Sequence, residues 1–214
     1  LSREPCAPTS SDSEVEVSCV IRDNSNIQEA LIHYSLDGGE YITATMTSDG
    51  DSTFTGAMTL GVPAASTVYY YITATDDGAD QAEPKTSVYP YDTDYDQLGF
   101  HVTDELTVQT VQETPWPSGN TLYEGCTVTL TGVVTADTAQ YASSYSSYAL
   151  QDGDGQWDGV IFDLPLDAME PVVMTRGDQV TVTGLVTDND DDWIFKFGGN
   201  TRLISASVEV GSAV

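Results

Sequence analysis

The stretch LQDGDGQWDGVIF, from Leu150 to Phe162, sets oxygen-bearing side chains at every second position: Asp152, Asp154, Gln156 and Asp158. Carboxylates spaced this way could converge on a hard divalent cation, and Ca²⁺ accepts many oxygens at flexible geometry. The same letters also read as strand, tight turn, strand. An EF-hand loop wants glycine at its sixth position and a bidentate glutamate at its twelfth. Counted from Asp152, those positions hold Trp157 and Asp163. The hairpin reading is therefore preferred, with a cation on its turn as a secondary use of Asp152, Asp154 and Asp158.

Two other acidic runs are better placed for cations. YDTDYDQ puts Asp92, Asp94 and Asp96 at alternate positions of a loop, and VTDNDDDW packs Asp188, Asp190, Asp191 and Asp192 together. Like charges held this close cost energy unless water or a cation neutralises them. Ca²⁺ suits them better than Mg²⁺, which demands a strict octahedron. The alternative is two solvated turns. Catalytic signals are weak. His33 sits inside an apolar run and His101 in a later one, and no Ser-His-Asp order, HExxH or Cys/His cluster occurs. Acidic pairs are so many that none stands out as a glycosidase dyad. No enzymatic activity is expected.

The chain has 214 residues, 34 acidic and 6 basic, for a formal net charge of −28. Nucleic-acid binding depends on Lys and Arg displacing counterions, so a nucleic-acid partner is disfavoured. Anionic membranes are disfavoured for the same reason. Such a charge suits salty or calcium-bearing water, where counterions screen self-repulsion. The chain starts at Leu1, lacks an apolar run able to span a bilayer, and has no signal-peptide core, so it reads as a processed, secreted chain or a fragment of one. Of the three cysteines, Cys6 and Cys19 are expected to form a disulfide that staples the Pro-rich start to the first strand. A loop that short would stabilise by roughly 3 kcal/mol in the chain-entropy model. Cys126 is expected to be a small buried apolar residue.

The elements that must position these residues are strands. Alternation dominates and helical periodicity is nearly absent. After an N-terminal segment of residues 1–13, strands are expected near Glu14–Ile21, Ala30–Ser35, Tyr41–Met46, Thr53–Leu60, Thr67–Thr75 and Leu98–Thr103. Turns at Asp37-Gly38-Gly39 and Asp49-Gly50 join some of them. This spacing predicts a two-sheet sandwich over residues 14–103. In residues 104–214 the segments GCTVTLTGVVTAD and GDQVTVTGLVTDN echo each other, with Gly132 and Gly184 at matching places. A mid-strand glycine permits the sharp coiling that closes a small barrel, here a five-stranded OB-type barrel with a hairpin between the echoes. LTVQTVQ reads as a lead-in strand, and LISASVEV as a flanking strand with Ile204, Ala206, Val208 and Val210 on one face.

Two resemblances follow from these motifs. Tyr34, Met46, Gly50, Phe54, Gly56, Tyr69, Tyr70, Ala74, Asp76 and Gly78 match the pattern of fibronectin type III-like or immunoglobulin-like modules of large secreted bacterial proteins. The segments GCTVTLTGVVT, SYALQDGDGQWDGVIF and RGDQVTVTGLVTD resemble extracellular OB-fold modules, some beside nuclease domains and others in long surface proteins. The second resemblance implies that QDGDGQWDG joins the second and third barrel strands and that Trp157 packs where the strands cross. OB barrels bind ligands on the face of those strands, flanked by the first and last inter-strand loops. Tyr141, Tyr145, Tyr148, Trp157 and Trp193 could stack bases or sugars there, although the acidic loop repels phosphate and leaves a neutral glycan as the permitted ligand. Packing of the tyrosines on the barrel or a neighbour is the preferred alternative. The combined expectation is an all-β, secreted, cell-surface structural or adhesive protein, such as a filament subunit, with Ca²⁺ as its cofactor. Self-association is expected head to tail through Glu14–Ile21 or Leu203–Val210. The rival expectation is a ligand-binding accessory module of a secreted hydrolase or nuclease.

Overall fold

A computed structural model describes residues 1–61, 65–79, 83–137, 146–165, 173–188 and 201–211. The chain is all-β apart from one short helix among the described residues, and it divides into two compact units, Leu1–Asp104 and Glu105–Val214.

The N-terminal unit contains β1 (Ser2–Glu4), β2 (Glu14–Val20), β3 (Ile27–Leu36), β4 (Ile42–Thr45), β5 (Thr47–Ser48), β6 (Thr53–Thr59), β7 (Ser66–Asp76), β8 (Thr86–Tyr89) and β9 (Leu98–Val102). They form one sheet of order β1-β2-β6-β5 and another of order β4-β3-β7-β8, with β9 also on β7. Alternation puts Val15 and Val17 of one sheet and Ile32, Tyr70 and Ile72 of the other into a single shared core. Fully burying each such side chain contributes about 1.5–3 kcal/mol. The β3–β4 turn works as its residues require. Asp37 and Gly38 both take positive φ, and the Asp37 carboxylate accepts from the Thr67 amide at 2.7 Å. Arg3 is buried against the Phe100 ring and donates to the carbonyls of Gly99 and Cys6, which ties the N-terminal segment to β9.

The C-terminal unit contains α1 (Val108–Gln112), β10 (Thr127–Ala136), β11 (Ser146–Gln151), β12 (Gly159–Leu164), β13 (Gln179–Asp188) and β14 (Thr201–Val210). The five strands close a barrel in the order β10-β11-β12-β14-β13, with β12 and β14 parallel and the other pairs antiparallel. Val128, Leu130 and Val134 of β10 and Val180, Val182 and Val186 of β13 fill its interior, as the echoed pattern requires. Gly132 has a steric reason to lack a side chain, since a Cβ there would lie 2.5 Å from the Gln151 carbonyl oxygen on β11.

Three expectations change here. LTVQTVQ is not a lead-in strand. Its two valines are spaced by three, not two, and both are buried on α1, whose N-cap Thr107 accepts from the Thr110 amide. LISASVEV does not flank the barrel but is its fifth strand, paired with β13 and β12. Its apolar face also differs. Ser205 takes φ 51°, and Ser205 and Ala206 together oppose Gly184, so Leu203 and Ala206 point inward while Val210 is exposed. That is a β-bulge, which shifts side-chain parity by one residue. Finally, β2 has β6 along one side and β1 against Glu16–Ser18 on the other. β14 pairs with β13 over most of its length but with β12 only at Arg202 and Leu203.

Candidate functional site

The stretch that opened the question is a hairpin turn. β11 and β12 pair in register from Ser146–Leu164 to Gln151–Gly159. The Asp152 amide donates to the Asp158 carbonyl at 3.2 Å, and the Asp158 carboxylate accepts from the Gly155 amide at 2.6 Å. That carboxylate lies where a Cβ on Gly153 would sit, 2.2 Å from one oxygen, so the glycine makes room for it. The Asp152 carboxylate reaches out of the turn to the Val108 amide at 2.7 Å, one of the amides the first turn of α1 leaves unsatisfied. A polar groove of about 490 Å³ lies here, lined by Glu105, Thr129, Thr131, Asp152 and Asp158 among others. Trp157 is not packed at a strand crossing. It occupies the turn at φ 73° and is 42 % exposed. Tyr148 leaves the expected ligand face: it is buried and stacks on Phe162, its cross-strand partner, at 5.5 Å. Tyr141, Tyr145 and Trp193 lie outside the described residues.

The other acidic runs are also tied into the backbone. Asp92 caps its own loop, accepting from the amides of Asp94 at 3.1 Å and Tyr95 at 3.2 Å, while Asp94 is exposed. Asp188 accepts from the Thr121 amide at 2.7 Å and the Thr201 hydroxyl at 2.8 Å, so it braces the end of β13. Asp190 and Asp192 lie outside the described residues. Among the described residues no group of three or more His, Cys, Asp or Glu side chains is arranged to hold a metal ion, which leaves Asp92, Asp94 and Asp96, like Asp152, Asp154 and Asp158, unassembled as a cation site.

Both histidines belong to the N-terminal unit, and both share the face of one sheet with threonines. The His33 Nε2 is 2.9 Å from the Thr73 hydroxyl, and the His101 Nδ1 is 3.0 Å from that of Thr67. His33 stacks on Tyr71 with the rings 4.6 Å apart and only 7° from parallel, and Tyr41 tilts onto Tyr71 from the other direction in the chain. Partial burial holds the His33 pKa below its ordinary value, against the opposing charge of Glu29. A stacked, depressed imidazole is neutral at physiological pH and serves here as a cross-strand packing group.

The disulfide expectation is overturned. Cys19 is a free thiol at the inner end of β2, and burial pushes its pKa up. Cys6 is disulfide-bonded, though not to Cys19, and Cys126 is disulfide-bonded where a lone apolar residue was expected. Proximity in sequence misleads because strand pairing, not chain separation, decides which sulfurs meet.

Cys19 lines a second groove, of about 460 Å³, that sequence reasoning missed altogether. Its walls are Val20 at the end of β2 and Ile21 just after it, Ile72 and Ala74 from the inner face of β7, and β8. All four residues of β8 are exposed, and among the described residues β8 has a neighbour on one side only. The signal that could have found it is TSVYP, a short β-branched and aromatic run stopped by proline. No described helix is long and apolar enough to cross a membrane. No protein-family model matches the chain, and neither does any curated protein.

Proposed function

We propose that the chain is a non-catalytic pair of extracellular modules, a fibronectin type III-like or immunoglobulin-like sandwich followed by an OB-fold barrel, with a structural or adhesive role in a secreted surface protein. The observation that carries this reading is the use made of the reactive side chains. Asp92, Asp152, Asp158 and Asp188 hold turns, a helix start and a strand end, and His33 and His101 hold threonine hydroxyls. Groups spent on backbone geometry build a scaffold, and what the N-terminal unit leaves outward is strand edge. Two sheets around one core support the sandwich assignment, and the barrel order with a parallel third and fifth strand supports the OB assignment. Counterions, calcium among them, stabilise so acidic a surface by screening its self-repulsion. The test is light scattering and electron microscopy of the full chain at high concentration in calcium. Ordered self-association supports the reading. A strictly monomeric chain replaces it with the accessory-module reading.

That second reading has one observation of its own. Trp157 is a bulky residue held outward at positive φ, a conformation such residues avoid unless the surrounding turn imposes it. An exposed indole of this kind can stack on a neutral sugar ring. Titrating neutral oligosaccharides against tryptophan fluorescence in the wild-type chain and in Trp157→Ala checks it.

A further inference from the structure

We propose that the groove between the end of β2 and the open edge of β8 receives an extended acidic peptide strand from another polypeptide, which pairs with β8 and sets alternate apolar side chains against Cys19, Val20, Ile72 and Ala74.

The backbone supplies the first half of the fit. The Asp76 amide donates to the Lys85 carbonyl at 3.0 Å, so Lys85 turns its backbone groups toward β7. Antiparallel pairs alternate between bonded and non-bonded, and the register runs on from Thr75–Thr86 to Ile72–Tyr89. Thr86 and Val88 therefore aim their N–H and C=O groups at the open side. These are the donors and acceptors an added strand would take, as in β-strand addition. The side chains supply the second half. Ser87 and Tyr89 share the inner face with Ala74 and Ile72, and the groove continues onto Cys19 and Val20. An incoming strand presents every second residue to that surface.

Charge selects the partner. The whole chain holds 6 basic residues against 34 acidic ones. Of the three basic residues in the N-terminal unit, Arg3 is buried, while Arg22 and Lys85 are exposed. Arg22 lines the groove, and Lys85 immediately precedes β8. Among the described residues no carboxylate lines the groove, and the neighbouring Asp23 accepts from the Ser25 amide in its own turn. On a molecule this negative, a groove lined by Arg22 with Lys85 beside it attracts an acidic segment.

The inference rests on reading the chain as an association module, and its test is separate from self-assembly. Cys19 is a built-in reporter, because it lies in the groove and Cys6 and Cys126 are disulfide-bonded. The rate of its alkylation by N-ethylmaleimide is measured in the full chain with a synthetic octapeptide alternating valine and aspartate, and with a control alternating valine and lysine. Protection of about tenfold is expected when the acidic probe is at about ten times its Kd, by mass action. The basic control gives none. Arg22→Glu combined with Lys85→Glu reverses the preference. Val88→Pro removes an outward N–H and abolishes protection, with the fold checked by circular dichroism. Unchanged alkylation with the acidic probe, equal protection by both peptides, or protection that survives Val88→Pro would each overturn the proposal. Self-association of the chain with no protection of Cys19 would sink the groove while leaving the association role intact.

Discussion

Among the described residues the two N-terminal sheets end in β1 and β5 and in β4 and β8, each with a neighbour on one side only, whereas every C-terminal strand has a neighbour on both sides, β10 closing the ring against β13. An open edge leaves backbone donors and acceptors to water, and a closed ring leaves far fewer. The difference decides what kind of contact each unit can make. The barrel meets a partner chiefly through side chains and loops, such as the Thr129–Thr183 and Thr131–Thr181 hydroxyl pairs on its outer surface or the turn that carries Trp157. The two-sheet unit can also offer its main chain, which recognises a partner's strand with little demand on its sequence. The same division separates the charges: the groove beside β8 has Arg22 at its rim, and the barrel's polar groove is lined by Glu105, Asp152 and Asp158.

Proline substitution breaks or sharpens this comparison most. Thr181 lies in β13 between Thr131 and Glu209, so Thr181→Pro loses a ladder hydrogen bond in a closed ring. A cost of roughly 3 kcal/mol or more is expected, enough to unfold the barrel in calorimetry. Val88→Pro on the edge strand should shift the melt of its unit only slightly. Equal losses at the two positions would mean that β8 is not an open edge. Next in size is Gly132→Ala, which pushes a methyl into the Gln151 carbonyl at 2.5 Å. It should cost about 1–3 kcal/mol as overpacking does, and more than Gly184→Ala, whose nearest neighbour is 3.0 Å away. Denaturant titration of the two variants gives the ranking.

Asp188→Ala strands the Thr121 amide and the Thr201 hydroxyl, for an expected loss of about 1–3 kcal/mol in thermal unfolding of the barrel. Asp92→Ala, in an exposed loop, should change stability by no more than about 0.5 kcal/mol. The smallest effect is in pH. Partial burial lowers the folded-state pKa of His33, so between that value and about 6.5 the unfolded chain binds more protons than the folded one. The stability His33 contributes is present above about pH 6.5 and is lost as pH falls through the folded pKa. His33→Gln should flatten that slope in the N-terminal unit. The barrel holds no histidine, so its own melt should not respond to pH in this window through such a group.

Strand content was legible because burial imposes a period of two: Val15 and Val17, or Val128 and Leu130, declare a face without any knowledge of their neighbours. The hairpin at Asp152–Asp158 was legible too, since glycines and aspartates are the residues such a turn demands. The helix was misread although its signal was local, because Val108 and Val111 mark a period of three in a segment short enough to pass for alternation. LISASVEV failed differently. Its alternation is real in the letters, but Gly184 on the facing strand admits a bulge at Ser205 that reverses the faces.

What the sequence determined by itself was therefore what each residue needs from its immediate neighbours: all-β architecture, the turns, a dense negative surface and the glycine that closes the barrel. Which residues lie side by side across strands was decided only by tertiary structure. Cys19 is free while Cys6 is bonded, the Asp152 carboxylate meets the start of α1, Tyr148 stacks on Phe162 inside the barrel, and Arg22 lies beside β8. The reason is that strand pairing and register are set by the summed burial of a whole sheet, and a single extra residue in one strand moves every later side chain to the opposite face.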